Sequence, residues 1–484
     1  MRTVGLFGAT GVAFCLLATS CAHGASPAPK SAQTANAAGA VTGEASTTSA
    51  TKATHASLPF IEDDYGRALA EAKAKNKLLF VDGWATWCHS CLSLKSYVLT
   101  APEMRAEADK FVWLSLDSEK EKNAPYYEKF GLEALPTLWV IDPRTEQIAW
   151  KLVGTVTAPE LVTALDALTN KGAGDADGLF AEASRVDMRK DPAAAARLLE
   201  KVLATAPRSW PRRAEAVSAY VSALASTKQF ERAAEIATRE GEALPMSSYR
   251  VNIAVVGAGC AAEQSPGSTA RGYLASLIKD LTAIVHLPVS APAENGHPAT
   301  MAPILADDRS GAFDQLISAL KTENQKDAAK QMAGEWAKFL EGEARRAPDA
   351  RGRAVFDAHR MLAYNELGDP ARAIPMFLET ERDFSDDYNP SARLGRVYFD
   401  LKRYDEALGA ISRAIGKAYG PRKLRLYQLK ADIAAAKKDP AEERKALDDA
   451  LAYANTVSLR ESYEKVRAQL AERRAKLGTP TAQR

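Results

Sequence analysis

Residues 78–91 read LLFVDGWATWCHSC, and this stretch decides the fold of the first half of the chain. Its first five residues, 78–82, form a continuous apolar run of strand length that ends in an acid, which favours a buried β-strand. Cys88 and Cys91 follow with two residues between them, where we expect a helix to start and run to about Val98. Cysteines at this spacing lie on adjacent helical turns and can close a small disulfide ring. The stretch therefore predicts a strand, a loop and a helix whose first turn carries a cysteine pair.

The predicted helix start favours ionisation of Cys88. Unpaired backbone amides and the positive end of the helix dipole both stabilise a thiolate, which is the attacking form of cysteine. Lys95 is the only formally charged side chain between Asp82 and Glu103, so Asp82 is the one nearby carboxylate that opposes ionisation. We expect the Cys88 thiol to ionise more readily than an ordinary cysteine. His89 either tunes Cys88 or is a solvated surface ring, and the sequence leaves both open.

Zinc ligation and a structural disulfide are the competing interpretations of the cysteine pair. Structural zinc takes four ligands, and the sequence has no second pair at this spacing. We also predict no ligand cluster among the six histidines, which are residues 23, 55, 89, 286, 297 and 359. A disulfide across so short a loop restrains little chain entropy. The sequence therefore favours a redox-active pair, with no metal and no cofactor.

The motif and the pattern after it resemble the thioredoxin family, and within it the C-terminal periplasmic domain of the DsbD interchange proteins. The resemblance covers residues 58–170. The downstream elements that we predict are a strand at Phe111–Leu116, a helix at Ala124–Phe130, strands at Leu138–Ile141 and Ile148–Val153, and a helix at Ala158–Leu168. The fold class we expect is an α/β thioredoxin fold followed by an all-α tetratricopeptide-like solenoid.

The resemblance implies roles for four residues. Cys88 attacks a target disulfide, Cys91 resolves the mixed disulfide, and Asp82 helps to deprotonate the resolving thiol. Pro136, in Leu135-Pro136-Thr137, matches a cis proline that faces the disulfide. Asp82 can also be read as a simple strand-end residue, because aspartate favours such positions.

Two departures from the family pattern limit what the resemblance implies. Thioredoxin has Gly-Pro between its cysteines, whereas this chain has His89-Ser90, so the direction of electron transfer stays open. Trp113 stands where thioredoxin has a buried lysine, so the surroundings of Asp82 differ. We expect His89 and Trp87 to be the side chains that tune the site.

The N-terminal segment is predicted to direct export. Residues 1–21 have one early positive charge, a short apolar run and small residues before Cys21, as in a secretory signal peptide with a lipobox-like end. We expect lipidation of Cys21, which leaves the protein on the periplasmic side of a bacterial envelope with a lipid anchor as its membrane attachment. Cleavage near Gly24 or Ala25 is the alternative. Residues 22–57 are mostly Ala, Ser, Thr, Gly and Pro and are predicted to be a disordered linker.

The remainder of the chain is predicted to be helical. Residues 171–177 are a candidate linker, residues 178–477 carry helical spacing of apolar residues, and residues 478–484 are a tail. Pairs of similar residues recur 34 positions apart, at Tyr364 and Tyr398, Leu367 and Leu401, Ala373 and Ala407, Ile374 and Leu408, and Phe377 and Ile411. That period is typical of tetratricopeptide repeats. Residues 246–350 are the least clear, with a predicted loop from Leu287 to Pro303, and Cys260 is expected to be a buried apolar residue.

The balance of charged residues bears on which classes of partner the protein can bind. The chain has 63 Lys and Arg against 61 Asp and Glu, so it lacks the basic charge typical of a nucleic-acid binder. We predict a thiol:disulfide oxidoreductase whose partners are disulfide-containing client proteins and a redox partner protein. The helical repeats are predicted to bind a peptide or protein, or else to pack on the redox domain. The alternative is an envelope interaction scaffold whose thioredoxin-like domain serves mainly for docking.

Overall fold

The computed structural model describes residues 58–169, 174–288 and 303–478. The predicted signal peptide, the lipidation site Cys21 and the linker 22–57 lie outside the described residues, as do nearly all of the predicted tail and most of the predicted 287–303 loop. The described residues belong to one compact unit. Across the described ranges, no helix combines the length and the apolar character needed to cross a bilayer.

The first part of this unit is a mixed α/β fold. Its strands are β1 (Phe60–Glu62), β2 (Leu78–Trp84), β3 (Phe111–Asp117), β4 (Thr137–Asp142) and β5 (Gln147–Val153). Its helices are α1 (Tyr65–Lys75), α2 (His89–Ser93, continued by a π turn over Leu94–Val98), α3 (Ala124–Phe130) and α4 (Ala158–Thr169), with short 3-10 turns at Pro102–Glu107 and Glu121–Asn123. Every element predicted from the sequence is present, and β1 is an additional strand.

The five strands form one sheet in the order β1-β3-β2-β4-β5. β3 runs parallel to both β1 and β2, whereas β4 is antiparallel to β2 and β5. β2 is therefore central, and its carboxyl end carries the cysteine loop. This order positions the loop beside the first residue of β4, since Gly83 pairs with Thr137.

Alternation along β2 builds two apolar layers. Phe80 packs on one face of the sheet with Trp113 and Leu138, whereas its neighbours Leu79 and Val81 pack on the other. Successive strand residues point to opposite faces, so a strand covered on both sides is apolar throughout. This explains why the sequence of β2 reads as a continuous apolar run.

The second part is helical. Its helices are α5 (Asp175–Ser184), α6 (Pro192–Thr205), α7 (Arg213–Ser226), α8 (Phe230–Ala243), α9 (Ser248–Ala262), α10 (Thr269–Gly272), α11 (Leu274–Val285), α12 (Ala306–Thr322), α13 (Lys326–Arg346), α14 (Ala350–Ala354), α15 (Asp357–Glu366), α16 (Ala373–Asp383), α17 (Asn389–Asp400), α18 (Tyr404–Lys417), α19 (Lys423–Ala436), α20 (Pro440–Ala454) and α21 (Glu461–Lys476). α5 begins inside the segment predicted as the 171–177 linker.

Packing of the repeat residues follows the 34-residue period. Ala373 and Ala407 are fully buried, and so are Phe377 and Ile411. Small residues at equivalent positions let paired helices approach, and the larger ones fill the seam between neighbouring pairs. These four repeat positions are therefore core positions.

The stretch that was least clear from sequence, residues 246–350, is helical wherever it is described. Gly257 lies on α9, where a Cβ atom would come 2.3 Å from Ala237 Cβ of α8. This glycine therefore permits a close helix crossing. Cys260, one turn further on, is buried as expected, and burial raises the pKa of its thiol to about 12.

Apolar packing and a buried hydrogen bond join the α/β part to the helical part. Tyr249 of α9 packs into the thioredoxin-side core with Phe80 and Trp113. Trp150 of β5 donates a hydrogen bond through Nε1 to Glu215 Oε1 of α7 at 2.6 Å. The helical part is thus packed directly on the α/β part.

Candidate functional site

Cys88 and Cys91 form a disulfide at the start of α2. Cys88 is the N-cap residue, and its Sγ accepts a hydrogen bond from the Cys91 backbone N–H at 3.1 Å. Cys88 is 5% exposed and Cys91 is fully buried. Because the Cys88 sulfur receives the amide and stands at the positive end of the helix, its environment favours the thiolate after reduction.

Asp82 lies on β2, six residues before Cys88, and is fully buried. Its Oδ2 is 3.0 Å from Lys95 Nζ, which also donates a hydrogen bond to Ser115 Oγ at 2.8 Å. Lys95 comes from the π turn that extends α2, and its ammonium group lies 4.3 Å from the Trp84 ring centroid. The buried acid therefore has a cationic partner, although Trp113 occupies the position where thioredoxin has a buried lysine.

The Leu135–Pro136 peptide bond is cis, as the family resemblance implies. Leu135 packs in a small cluster with both cysteines and with Trp84 and Trp87. Pro136 is buried, and its carbonyl accepts a hydrogen bond from Gly154 N at 2.9 Å. The proline loop and the cysteine loop thus form one site.

Helices of the second part contact the residues just before Cys88. Asn389 Nδ2 donates to Thr86 Oγ1 at 3.1 Å, and an Arg393 guanidinium N–H donates to the Trp87 carbonyl at 3.3 Å. The Arg422 guanidinium stacks on the Trp87 ring at 4.1 Å, a cation–π contact. The helical part therefore covers one side of the cysteine loop.

His89 is held on the other side of the loop. Its Nδ1 is 2.8 Å from Oδ1 of Asp307, the second residue of α12, and its ring lies 4.0 Å from the ring of His359 on α15. No pattern in the sequence indicates that two of the six histidines meet beside an aspartate. His89 and His359 are far apart in the sequence, and only the folding of α12 and α15 onto the loop brings them together.

Among the described residues, His89, Asp307 and His359 are the one set of three potential ligands whose atoms lie within 4.8 Å of one another. The His89 nitrogen and the Asp307 oxygen are closer than two ligands of a tetrahedral zinc ion, which stand about 3.3 Å apart. His359 Nδ1 is hydrogen-bonded to Ser310 Oγ at 2.6 Å. The cluster is a hydrogen-bonded network.

Two features of the site were missed by sequence reasoning. The sequence analysis noted Lys95 only as an isolated charge. Its position four residues after Cys91, in the same predicted helix, was the available signal for its contact with Asp82. Asp307 had no such signal, because nothing local in the sequence connects α12 with the cysteine loop. Both residues act through contacts that only the tertiary fold creates.

Family models match both parts of the chain. Residues 61–143 match a family described as thioredoxin-like, and residues 362–422 and 393–456 match tetratricopeptide repeats. The chain combines a thioredoxin-like domain with tetratricopeptide repeats. The resemblance to the thioredoxin family, the tetratricopeptide-like repeats and the predicted fold class are confirmed.

Curated relatives match in the thioredoxin-like part. Thiol:disulfide interchange protein DsbD of Cronobacter sakazakii is 31% identical over 106 residues, which cover 21% of this chain and 18% of that protein. The same protein of Pseudoalteromonas atlantica is 28% identical over 89 residues, 18% of this chain and 15% of its own length. The chain thus spans less than a fifth of these relatives. The similarity supports thiol–disulfide exchange at a general level.

This chain has a structural neighbour among solved proteins. It is a tetratricopeptide repeat protein from Parabacteroides merdae, 12% identical, with a TM-score of 0.33, and the match covers 61% of this chain and 98% of that one.

Proposed function

We propose that this protein is a thiol:disulfide oxidoreductase that exchanges disulfides with client proteins through Cys88 and Cys91. The observation that carries the proposal is the Cys88–Cys91 disulfide at the start of α2, next to the cis Leu135–Pro136 bond. The buried Asp82 lies on β2, the strand that leads into the cysteine loop. Sequence similarity to thiol:disulfide interchange proteins covers the same segment.

In the reducing direction the exchange has two steps. The Cys88 thiolate attacks one sulfur of a client disulfide, the client S–S bond breaks, and the other client sulfur leaves as a thiolate that takes up a proton from water. Cys91 then loses its proton to Asp82 and attacks Cys88 Sγ of the mixed disulfide. The second client thiol is released and the Cys88–Cys91 disulfide forms. Two electrons pass from the protein to the client, and a redox partner protein returns them.

Asp82 is the proposed proton acceptor for Cys91. It is fully buried on the strand that leads into the cysteine loop, and Lys95 Nζ lies 3.0 Å from its Oδ2. Pro136 is proposed to present the neighbouring backbone to an extended client segment. Trp87 and His89 are proposed to tune the site, each through a partner on the helical part.

The clients are proposed to be proteins of the bacterial envelope, reached after export with Cys21 as the lipid-bearing residue. The proposal rests on the signal-like sequence of residues 1–21. The tetratricopeptide repeats are proposed to bind client or partner proteins. Arg393 of α17 and Arg422, the N-cap residue of α19, contact Trp87 of the cysteine loop. The repeats are therefore proposed to bring a bound protein close to Cys88.

The test is turnover of a disulfide-bonded protein such as insulin with dithiothreitol as the reductant. We expect wild type to accelerate reduction, Cys88→Ser to abolish the acceleration, and Cys91→Ser to accumulate a mixed disulfide that mass spectrometry detects. Cys260→Ser, which alters a buried thiol remote from the pair, is the matched control and is expected to behave as wild type. Equal rates for wild type and Cys88→Ser would contradict the proposal and favour a docking scaffold.

A further inference from the structure

The strongest feature outside the family pattern is the contact between His89 and Asp307. It joins the residue next to the attacking cysteine to the first turn of α12, across more than two hundred residues of sequence. The His89 side chain is 15% exposed and Asp307 is 2% exposed, so the pair is shielded from water. In such surroundings a charged hydrogen bond is stronger than at the surface.

The protonation of the pair follows from its surroundings. Burial acts to raise the pKa of Asp307, but the charge and hydrogen bond of His89 outweigh burial and leave that pKa below its ordinary value. An ionised Asp307 has no hydrogen to donate, so the proton in the 2.8 Å contact belongs to His89 Nδ1. Ser90 Oγ, 3.2 Å from the same nitrogen, also hydrogen-bonds to Asp307. The His89 ring is therefore fixed in one orientation.

His359 is the second ring of the network and is neutral. Trp336 Nε1 donates to Ser310 Oγ at 2.7 Å, which leaves the serine hydrogen free to donate to His359 Nδ1 at 2.6 Å. Burial lowers the pKa of His359 to about 3, with a smaller contribution from the charge of His89. Its Nδ1 accepts, so the one ring proton is on Nε2. Of the two rings, His89 is therefore the one that hydrogen-bonds to Asp307.

Other charged groups also face His89. Asp314, about two turns after Asp307 on α12, interacts electrostatically with His89, and burial raises its pKa to about 6. Arg393 of α17 acts on His359. Within the described residues, Asp307 is the carboxylate that is hydrogen-bonded to the ring.

We propose that Asp307 is a positioning residue of the redox site, which accepts a hydrogen bond from His89 Nδ1–H and so holds the ring that follows Cys88 in an orientation that favours the Cys88 thiolate. This inference rests on the proposed function and deepens it. The helical part then contributes to the chemistry of Cys88, besides any part that it plays in binding proteins. When Cys88 ionises, its thiol proton passes to water, and the imidazole of the next residue, held in place by Asp307, is proposed to stabilise the negative charge.

The test measures the pH dependence of Cys88 alkylation in the reduced full-length protein. Iodoacetamide labelling is followed by peptide mass spectrometry from pH 4 to pH 10, with EDTA present throughout, so that Cys88 is read separately from Cys91. We expect Asp307→Asn to move the midpoint to higher pH by about one unit. Asp308→Asn is the matched control, since Asp308 is the next residue of α12, is buried, and bonds to Ser248 and Thr155 instead of His89.

A double variant separates positioning from a general structural effect. We expect His89→Gln to raise the midpoint as Asp307→Asn does, and Asp307→Asn to cause no further shift in the His89→Gln background. Equal shifts for Asp307→Asn and Asp308→Asn, or a full additional shift in the double variant, would overturn the proposal. Alkylation needs no client, so the midpoint shift can occur even if insulin turnover fails, and the two proposals are distinguishable.

A measurement on wild type covers the case in which Asp307→Asn does not fold. Long-range ¹H–¹⁵N spectra of the imidazole nitrogens at pH 7 report which nitrogens carry protons. We expect a protonated Nδ1 for His89 and a protonated Nε2 with a bare Nδ1 for His359. A bare Nδ1 in His89 would overturn the proposal without any substitution.

Discussion

Lys95 Nζ lies 3.0 Å from Oδ2 of the fully buried Asp82. The lysine comes from the turn that extends the active-site helix, and the aspartate from the central strand. A buried carboxylate is tolerated when a cation and hydrogen bonds compensate for lost hydration. Removing Lys95 therefore leaves Asp82 buried without a cation, whereas Lys95 without Asp82 is still part-exposed and bonded to Ser115.

We predict that Lys95→Met lowers the free energy of unfolding by about 2–3 kcal/mol, because Asp82 is left buried and unpaired. Asp82→Asn combined with Lys95→Met is expected to recover a large part of that loss, since the double variant has no uncompensated charge. Urea denaturation at pH 7 measures both. Additive losses in the double variant would show that the two side chains do not stabilise each other.

A second prediction concerns the resolving step. Asp82→Asn removes the proposed proton acceptor for Cys91, so the mixed disulfide with a client is expected to persist at least about 10-fold longer. Attack by Cys88 on the client disulfide is expected to change little. Acid quenching followed by mass spectrometry measures the lifetime of the mixed disulfide. Asp109→Asn, at an exposed position, is the control, and a lifetime equal to that control would contradict the assigned role.

A matched pair of glycines tests the packing of α8 on α9. At Gly257 a Cβ would lie 2.3 Å from Ala237 Cβ, whereas at Gly259 the nearest atom is 3.8 Å away on Gln315. We expect Gly257→Ala to destabilise the protein by about 1–3 kcal/mol through overpacking. Gly259→Ala is expected to stabilise it by up to about 1 kcal/mol, because alanine favours the helix. Thermal unfolding compares the two, and the same sign for both would contradict the close crossing.

The pH dependence of stability is predicted at Asp308. Burial raises its pKa to about 7, despite hydrogen bonds from Ser248 and Thr155 that act to lower it. An unfolded aspartate has a pKa near 3.9, so between about pH 4 and pH 7 the folded protein keeps a proton that the unfolded chain has lost. Asp308 therefore contributes stability that is full below about pH 4 and falls as the pH rises to about 7.

Asp308→Asn cannot titrate and serves to isolate this contribution. The stability difference, wild type minus variant, is expected to decrease steadily from pH 4 to pH 7 and then level off. Denaturation midpoints measured at half-unit intervals give this difference. A difference that is constant with pH would show that Asp308 titrates alike in the folded and unfolded protein.

Local patterns in the sequence were enough to predict most secondary-structure elements of the thioredoxin-like domain. The apolar run of β2 and the cysteine spacing are local signals, and both correspond to elements of the structure. β1, only three residues long, gives too short a pattern to be recognised. The 34-residue period identified the later helix pairs, because equivalent residues such as Ala373 and Ala407 occupy equivalent core positions.

Contacts between distant segments could not be predicted in the same way. Asp307 and His359 reach His89 only because α12 and α15 pack against the cysteine loop. Lys95 takes the place beside Asp82 that family comparison would assign to position 113, because a long side chain on a neighbouring element can reach the same point. Asp82 thus keeps a lysine partner, although a different position in the sequence supplies that lysine.

The most direct test of the account is the redox equilibrium of Cys88 and Cys91 in the full-length protein. Equilibration with reduced and oxidised glutathione, followed by alkylation and mass spectrometry, gives the reduction potential of the pair. We predict reversible cycling with a potential between about −270 and −120 mV, the range of thioredoxin-like oxidoreductases. A disulfide that neither opens nor re-forms across that range would contradict a redox function for this site.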